Sequence, residues 1–135
     1  MSSVLNRLIA ANEQLAARVR HLEAAEVPVL GSDSLTIASG EITLTSKAPI
    51  IRVWLDTESA AASDDLDTIN GGALHTIVIL TTTNNTRDVT VKDVTGNIQS
   101  AGDFALNTIA DTIVLMKHST TATFKWLELA RSNNG

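Results

Sequence analysis

Glu58, Asp64, Asp65 and Asp67 are the side chains best placed in this sequence for chemistry, because a hard cation is held by several carboxylate oxygens that converge. Their spacing does not fit the calcium loop of an EF-hand. Counted from Asp65, the third ligand would fall at Ile69, the glycine arrives one place late at Gly71, and the twelfth position is Thr76 where a glutamate is needed. The stretch therefore reads as a solvated acidic loop, with weak Ca²⁺ binding as the alternative it leaves open. His21, His75 and His118 show no paired metal spacing. With no cysteine there is no disulfide framework, thiolate site or Cys nucleophile. Serines are many, but none sits in a Gly-x-Ser-x-Gly elbow, and neither a phosphate-binding glycine loop nor a Gly-x-Gly-x-x-Gly fingerprint occurs. Asn84, Asn85 and Thr86 form a glycosylation sequon that reads more simply as a turn. Trp54 and Trp126 are the only side chains suited to stack on a sugar, and both are expected inside the core. No catalytic, cofactor-binding or metal-binding residue is assigned, and the chain reads as a non-enzyme.

The elements around these residues carry more information. Leu5, Leu8, Asn12, Leu15, Val19, Leu22 and Glu26 follow at alternating steps of three and four, the register of a coiled coil. Leu5, Asn12, Val19 and Glu26 take the a positions and Leu8, Leu15 and Leu22 the d positions. Arg18, Val19, Leu22 and Glu23 match the Arg-apolar-x-x-apolar-Glu pattern of short trimeric coils, in which Arg18 lies over the seam and reaches Glu23 of the next helix. Asn12 at an a position pulls the other way, since paired amides often specify two strands. The expectation is a homotrimer joined through Leu5, Leu8, Asn12, Leu15, Arg18, Val19, Leu22 and Glu23. About three heptads are marginal alone, so the remainder of the chain must help hold it.

Pro28 and Gly31 end the helical pattern, and from Ser34 the apolar period falls to two. Leu35, Ile37, Ile42 and Leu44 alternate with polar residues across Gly40 and predict a hairpin. Ile50 to Asp56, Ala73 to Thr81, Arg87 to Asp93, Asp111 to His118 and Thr123 to Leu129 predict further strands, the first of them apolar on both faces at Ile51, Val53, Trp54 and Leu55 and so expected to meet another sheet or protomer. Phe104 to Ile109 predicts a short strand or bridge, and Thr57 to Gly72 an exposed loop. Short strands every 8 to 12 residues or so describe a mainly β fold, expected as an antiparallel, jelly-roll-like sandwich. The organisation is then a coiled-coil helix over residues 1–26, a linker over 27–33, a β-sandwich over 34–131 and a frayed tail over 132–135. Aromatics make up only 3% of the chain, so the core must be built from Val, Ile, Leu and Thr. A net charge of -5 with scattered basic residues argues against nucleic acid as a partner. No segment reaches the roughly 18 apolar residues of a membrane span, and the first residues lack a signal-peptide core, which points to assembly in the cytoplasm.

Asp65 to Gly72 (Asp, Leu, Asp, Thr, Ile, Asn, Gly, Gly), Arg87 to Asp93, Gly96 to Ile98, Asp111 to Leu115 and Trp126 to Glu128 together resemble, in that order, a β-domain common in tailed-phage virion proteins. The resemblance runs over residues 34 to 130 and departs at Ala73, Leu74 and His75, where another glycine is expected. Such domains occur in head decoration or cement proteins and in tail or head fibres. The resemblance implies a structural virion protein on the surface of a bacteriophage capsid, assembled in the host cytoplasm, with the major capsid protein as partner. A trimeric cement protein that stabilises the head is the first reading, favoured by small size and the lack of an extended shaft. A short fibre or spike that recognises a host surface is the second.

Overall fold

The computed structural model describes the backbone of residues 2–25 and 29–135, with side chains for 3–18 and 29–135. One helix, α1 (Ser2–Ala25), precedes eleven strands. These are β1 (Leu30–Thr36), β2 (Glu41–Thr43), β3 (Ile50–Asp56), β4 (Ser63–Leu66), β5 (Thr68–Asn70), β6 (Ile77–Thr82), β7 (Asp88–Val91), β8 (Ile98–Gln99), β9 (Phe104–Leu106), β10 (Thr112–Lys117) and β11 (Trp126–Ser132). They form a six-stranded sheet in the order β1-β3-β6-β10-β11-β8, a two-stranded sheet β2-β5 and a three-stranded sheet β4-β7-β9.

The mainly β expectation holds, but the antiparallel jelly-roll does not describe the pairing. β1, β3 and β6 run parallel, as do β2 with β5, β4 with β7, and β8 with β11; only β6-β10, β10-β11 and β7-β9 are antiparallel. The chain winds. From β3 it passes through β4 and β5 and returns to the six-stranded sheet as β6, laid in register with Ile51 beside Val78 and Val53 beside Leu80. Parallel neighbours need a connection of a dozen or more residues, and the segments from Thr36 to Ile50 and from Asp56 to Ile77 supply it. Antiparallel β10 and β11 then close the stack.

Several local expectations change with this winding. Residues 38 and 41 make one isolated antiparallel bridge around Gly40, but β1 and β2 lie in different sheets, so the predicted hairpin is a corner. The predicted loop from Thr57 to Gly72 holds β4 and β5, whose Leu66 and Ile69 are buried. β6 begins at Ile77, after a turn in which His75 has positive φ. β1 begins at Leu30, inside the predicted linker 27–33, while residues 27 and 28 of that linker, and Glu26 at the end of the predicted coil, lie outside the described residues. The tail is tied down, since the Asn134 N–H donates to Asp111 Oδ1 over 2.7 Å.

Inward positions alternate with outward ones along each long strand, as a half-buried strand dictates. Ile51, Val53, Leu55, Val78, Leu80, Ile113 and Leu115 face Ile42, Leu66, Ile69, Val89, Val91 and Leu106 from the other two sheets in one core. Trp126 lies wholly inside it and donates its Nε1–H to the carbonyl of Ile69 at 3.2 Å.

Asn97 completes the edge of β5 with a side chain. Its Oδ1 accepts from the Ile69 N–H at 3.0 Å and its Nδ2 donates to the Ile69 carbonyl at 2.8 Å, so a side-chain amide does the work of a strand neighbour. Gly96 beside it must be glycine, because a Cβ there would lie 2.1 Å from the carbonyl oxygen of Asp67. Gly96→Ala is expected to lower stability by about 1–3 kcal/mol through strain or the loss of these bonds, measured by urea unfolding.

Candidate functional site

Three of the four carboxylates singled out for chemistry, Glu58, Asp64 and Asp67, are held as structural acceptors. Asp64 accepts the Glu58 N–H on Oδ2 at 2.7 Å and the Asp65 N–H on Oδ1 at 2.8 Å. Glu58 Oε1 accepts the Ser39 N–H at 3.0 Å, and Asp67 Oδ1 accepts from the Thr68 hydroxyl at 2.7 Å. Among the described residues no three His, Asp or Glu side chains converge on a common point. His118 Nε2 lies 2.6 Å from the Phe124 carbonyl and His75 sits in the turn before β6, while the His21 side chain lies outside the described residues. The sequon is a turn closed by its own side chain, with Asn84 Oδ1 accepting both the N–H and the hydroxyl of Thr86.

Three buried charges were not legible in the alternation. Asp33 on β1 accepts from the Thr45 hydroxyl at 2.6 Å and from the N–H groups of Thr45 and Ser46. Asp111 is fully buried and accepts from the N–H groups of Asn107, Thr108 and Asn134. For both, burial pushes the carboxyl pKa up, but the donated hydrogen bonds outweigh it and hold the group below its ordinary value. A depressed carboxylate stabilises the fold above its unfolded pKa, and that stability is lost as pH falls through the folded one. The melting temperature is expected to drop below about pH 4, and Asp111→Asn to flatten that limb, in thermal melts from neutral to acid pH.

Lys117, at the end of β10, is the third. Its Nζ donates to the carbonyls of Gly71 and Gly72 at 2.9 and 2.8 Å and lies 5.9 Å from the Trp126 ring. Next to it a cavity of about 400 Å³ is lined by Ser46, Lys47, Ala48, Gly71, Gly72, Ala73 and Thr76. In that lining Ser46 Oγ accepts the Ala48 N–H at 3.2 Å.

Two apolar surfaces remain. On α1, the predicted seam residues Leu5, Leu8 and Leu15 are 58%, 64% and 61% exposed, and Asn12 and Arg18 are exposed beside them. Val19, Leu22 and Glu23 are helical in backbone, but their side chains lie outside the described residues. The second surface is the outer face of the six-stranded sheet, of which the sequence shows only the part on Ile50–Asp56. Strand register aligns Leu30, Ile50, Ile77, Met116 and Leu127 in one row across five strands. Ser32, Arg52, Ile79, Val114 and Ala130 make the next, and Ser34, Trp54 and Thr81 a third, in which Thr81 is buried and its hydroxyl donates to the Ile109 carbonyl at 3.1 Å. A bulge after Val114 leaves Leu129 as an extra exposed residue.

Trp54 therefore faces outward, correcting its expected place in the core. The guanidinium of Arg52 stacks 4.5 Å from the centre of its ring, and Arg52 Nε is buried with no hydrogen-bond partner among the described residues. An antiparallel sheet with one solvated face carries polar outward positions; a sheet apolar on both sides is built to be covered.

Comparison with models of known protein families and with curated proteins gave no match. No helix among the described residues is long and apolar enough to cross a membrane.

Proposed function

We propose that this chain is a non-enzymatic structural protein of a bacteriophage virion, a homotrimeric cement protein that binds the major capsid protein on the outer surface of the head. The observation that carries the trimer is the heptad seam of α1, whose Leu5, Leu8 and Leu15 stand in solvent in the single chain. A helix with so narrow an apolar stripe gains stability only against other helices. The virion setting rests on the ordered motifs between Asp65 and Glu128 that resemble phage β-domains. The mechanism is multivalent clamping. Three heads joined by one stalk raise the effective concentration of each capsid contact, so neighbouring capsid subunits are held together by contacts that are individually weak.

The second reading, a short fibre or spike, shares the trimer and differs in location and number. Particles lacking the protein are expected to lose resistance to heat or low salt while still adsorbing to cells. Normal robustness with failed adsorption would reverse the ranking, and counting copies per particle separates the two readings further.

A further inference from the structure

The seam of α1 is exposed in the single chain, the outer face of the six-stranded sheet is only part-covered, with Leu30 and Leu129 exposed and Ile50, Ile77, Met116 and Leu127 half-buried, and the two adjoin along the sequence. Helix α1 ends at Ala25 and β1 starts at Leu30. Five peptide steps reach at most about 18 Å, so three helices closed on one axis hold each copy's Leu30 close to that axis. Leu30 is also the first member of the aliphatic row that continues through Ile50, Ile77, Met116 and Leu127.

Resting on the trimer reading above, we infer that the outer face of this sheet turns towards the threefold axis and is covered by the same face of the other two copies. Three identical faces around an axis meet with the β1-β3 side of one against the β10-β11 side of the next, a contact that closes after three subunits. That arrangement removes the aliphatic row from water without any further chain. It also lays the β10-β11 side of a neighbouring copy over Arg52, whose buried Nε–H has no hydrogen-bond partner among the described residues. The described side chains of the chain's own helix do not serve as the cover, since Val4, Leu5, Leu8, Ile9 and Leu15 are all exposed.

Met116 provides a probe of this face without altering it. The full chain is sized by sedimentation and treated with dilute peroxide, and sulfoxide at Met116 is followed by mass spectrometry. The reference is the Leu15→Asp, Leu22→Asp variant, with Ile77→Glu added so that seam and face are both broken. In the native trimer Met116 is expected to oxidise about tenfold more slowly than in that variant, because oxidation follows exposure. A trimer whose Met116 oxidises at the variant's rate overturns the inference and leaves the coil as the sole joint. A monomer with a protected Met116 overturns it in favour of the chain's own helix. A monomer with an exposed Met116 removes the trimer reading beneath it. A trimer in which Met116 becomes protected only on adding purified capsid subunits assigns the face to the capsid partner and also overturns it.

Discussion

A chain carrying Leu15→Asp and Leu22→Asp is expected to sediment as a monomer at micromolar concentration, with its β-domain still folded. Each substitution puts three carboxylates into one layer of a closed seam, and an uncompensated buried charge costs several kcal/mol. Every 1.4 kcal/mol or so is a tenfold change in association, so two broken layers weaken the trimer by well over about a thousandfold. The helix should melt with it, because an isolated helix of this length and composition is marginal in water. Circular dichroism would then lose its helical part while Trp126 fluorescence stays that of a buried indole, since Trp126 belongs to a core that no described side chain of α1 enters. An intact trimer would mean that the seam is not what joins the copies.

Asp111→Ala is expected to be the most damaging single change within the β-domain. The carboxylate is wholly buried and receives three backbone N–H groups, from Asn107 and Thr108 at 3.1 Å and from Asn134 at 2.7 Å. Alanine leaves those donors without an acceptor, and buried orphans cost about 1–3 kcal/mol each when water cannot reach them. A total loss of about 3 kcal/mol, or roughly 15 °C in melting temperature for a domain of this size, is the expected result by calorimetry. The tail around Asn134 should become sensitive to carboxypeptidase in the same variant.

Strand positions were largely legible because their side chains alternate: Ile51, Val53 and Leu55, or Ile113 and Leu115, announce a period of two whichever way the neighbouring strand runs. Direction was not, because alternation records which face a residue occupies and says nothing about its neighbours. Gly40 reads as the turn of a hairpin, but it is a corner of a winding chain. The acidic stretch hid β4 and β5 because Asp64, Asp65 and Asp67 outnumber the apolar residues that anchor it, Leu66 and Ile69. The roles of Asp33, Asn97, Asp111 and Lys117 depend on backbone groups brought in from distant segments, which no local pattern encodes. The outer sheet face was partly visible, as Ile50 to Asp56 reads apolar on both sides, but its continuity needed the register.

The wound path has a consequence for how such a head can vary in size. The parallel strands β1, β3 and β6 each rest on the one before and the one after, so an extra turn can be inserted between β3 and β6 provided that it also offers the carbonyls to which Trp126 and Lys117 reach back, now those of Ile69, Gly71 and Gly72. The ends are specialised, one by the Asp33 cluster and the other by the antiparallel β10-β11 pair, while the interior is a repeatable unit. A longer version of this domain would therefore rise higher from the same footprint, with the surface it presents at either end unchanged.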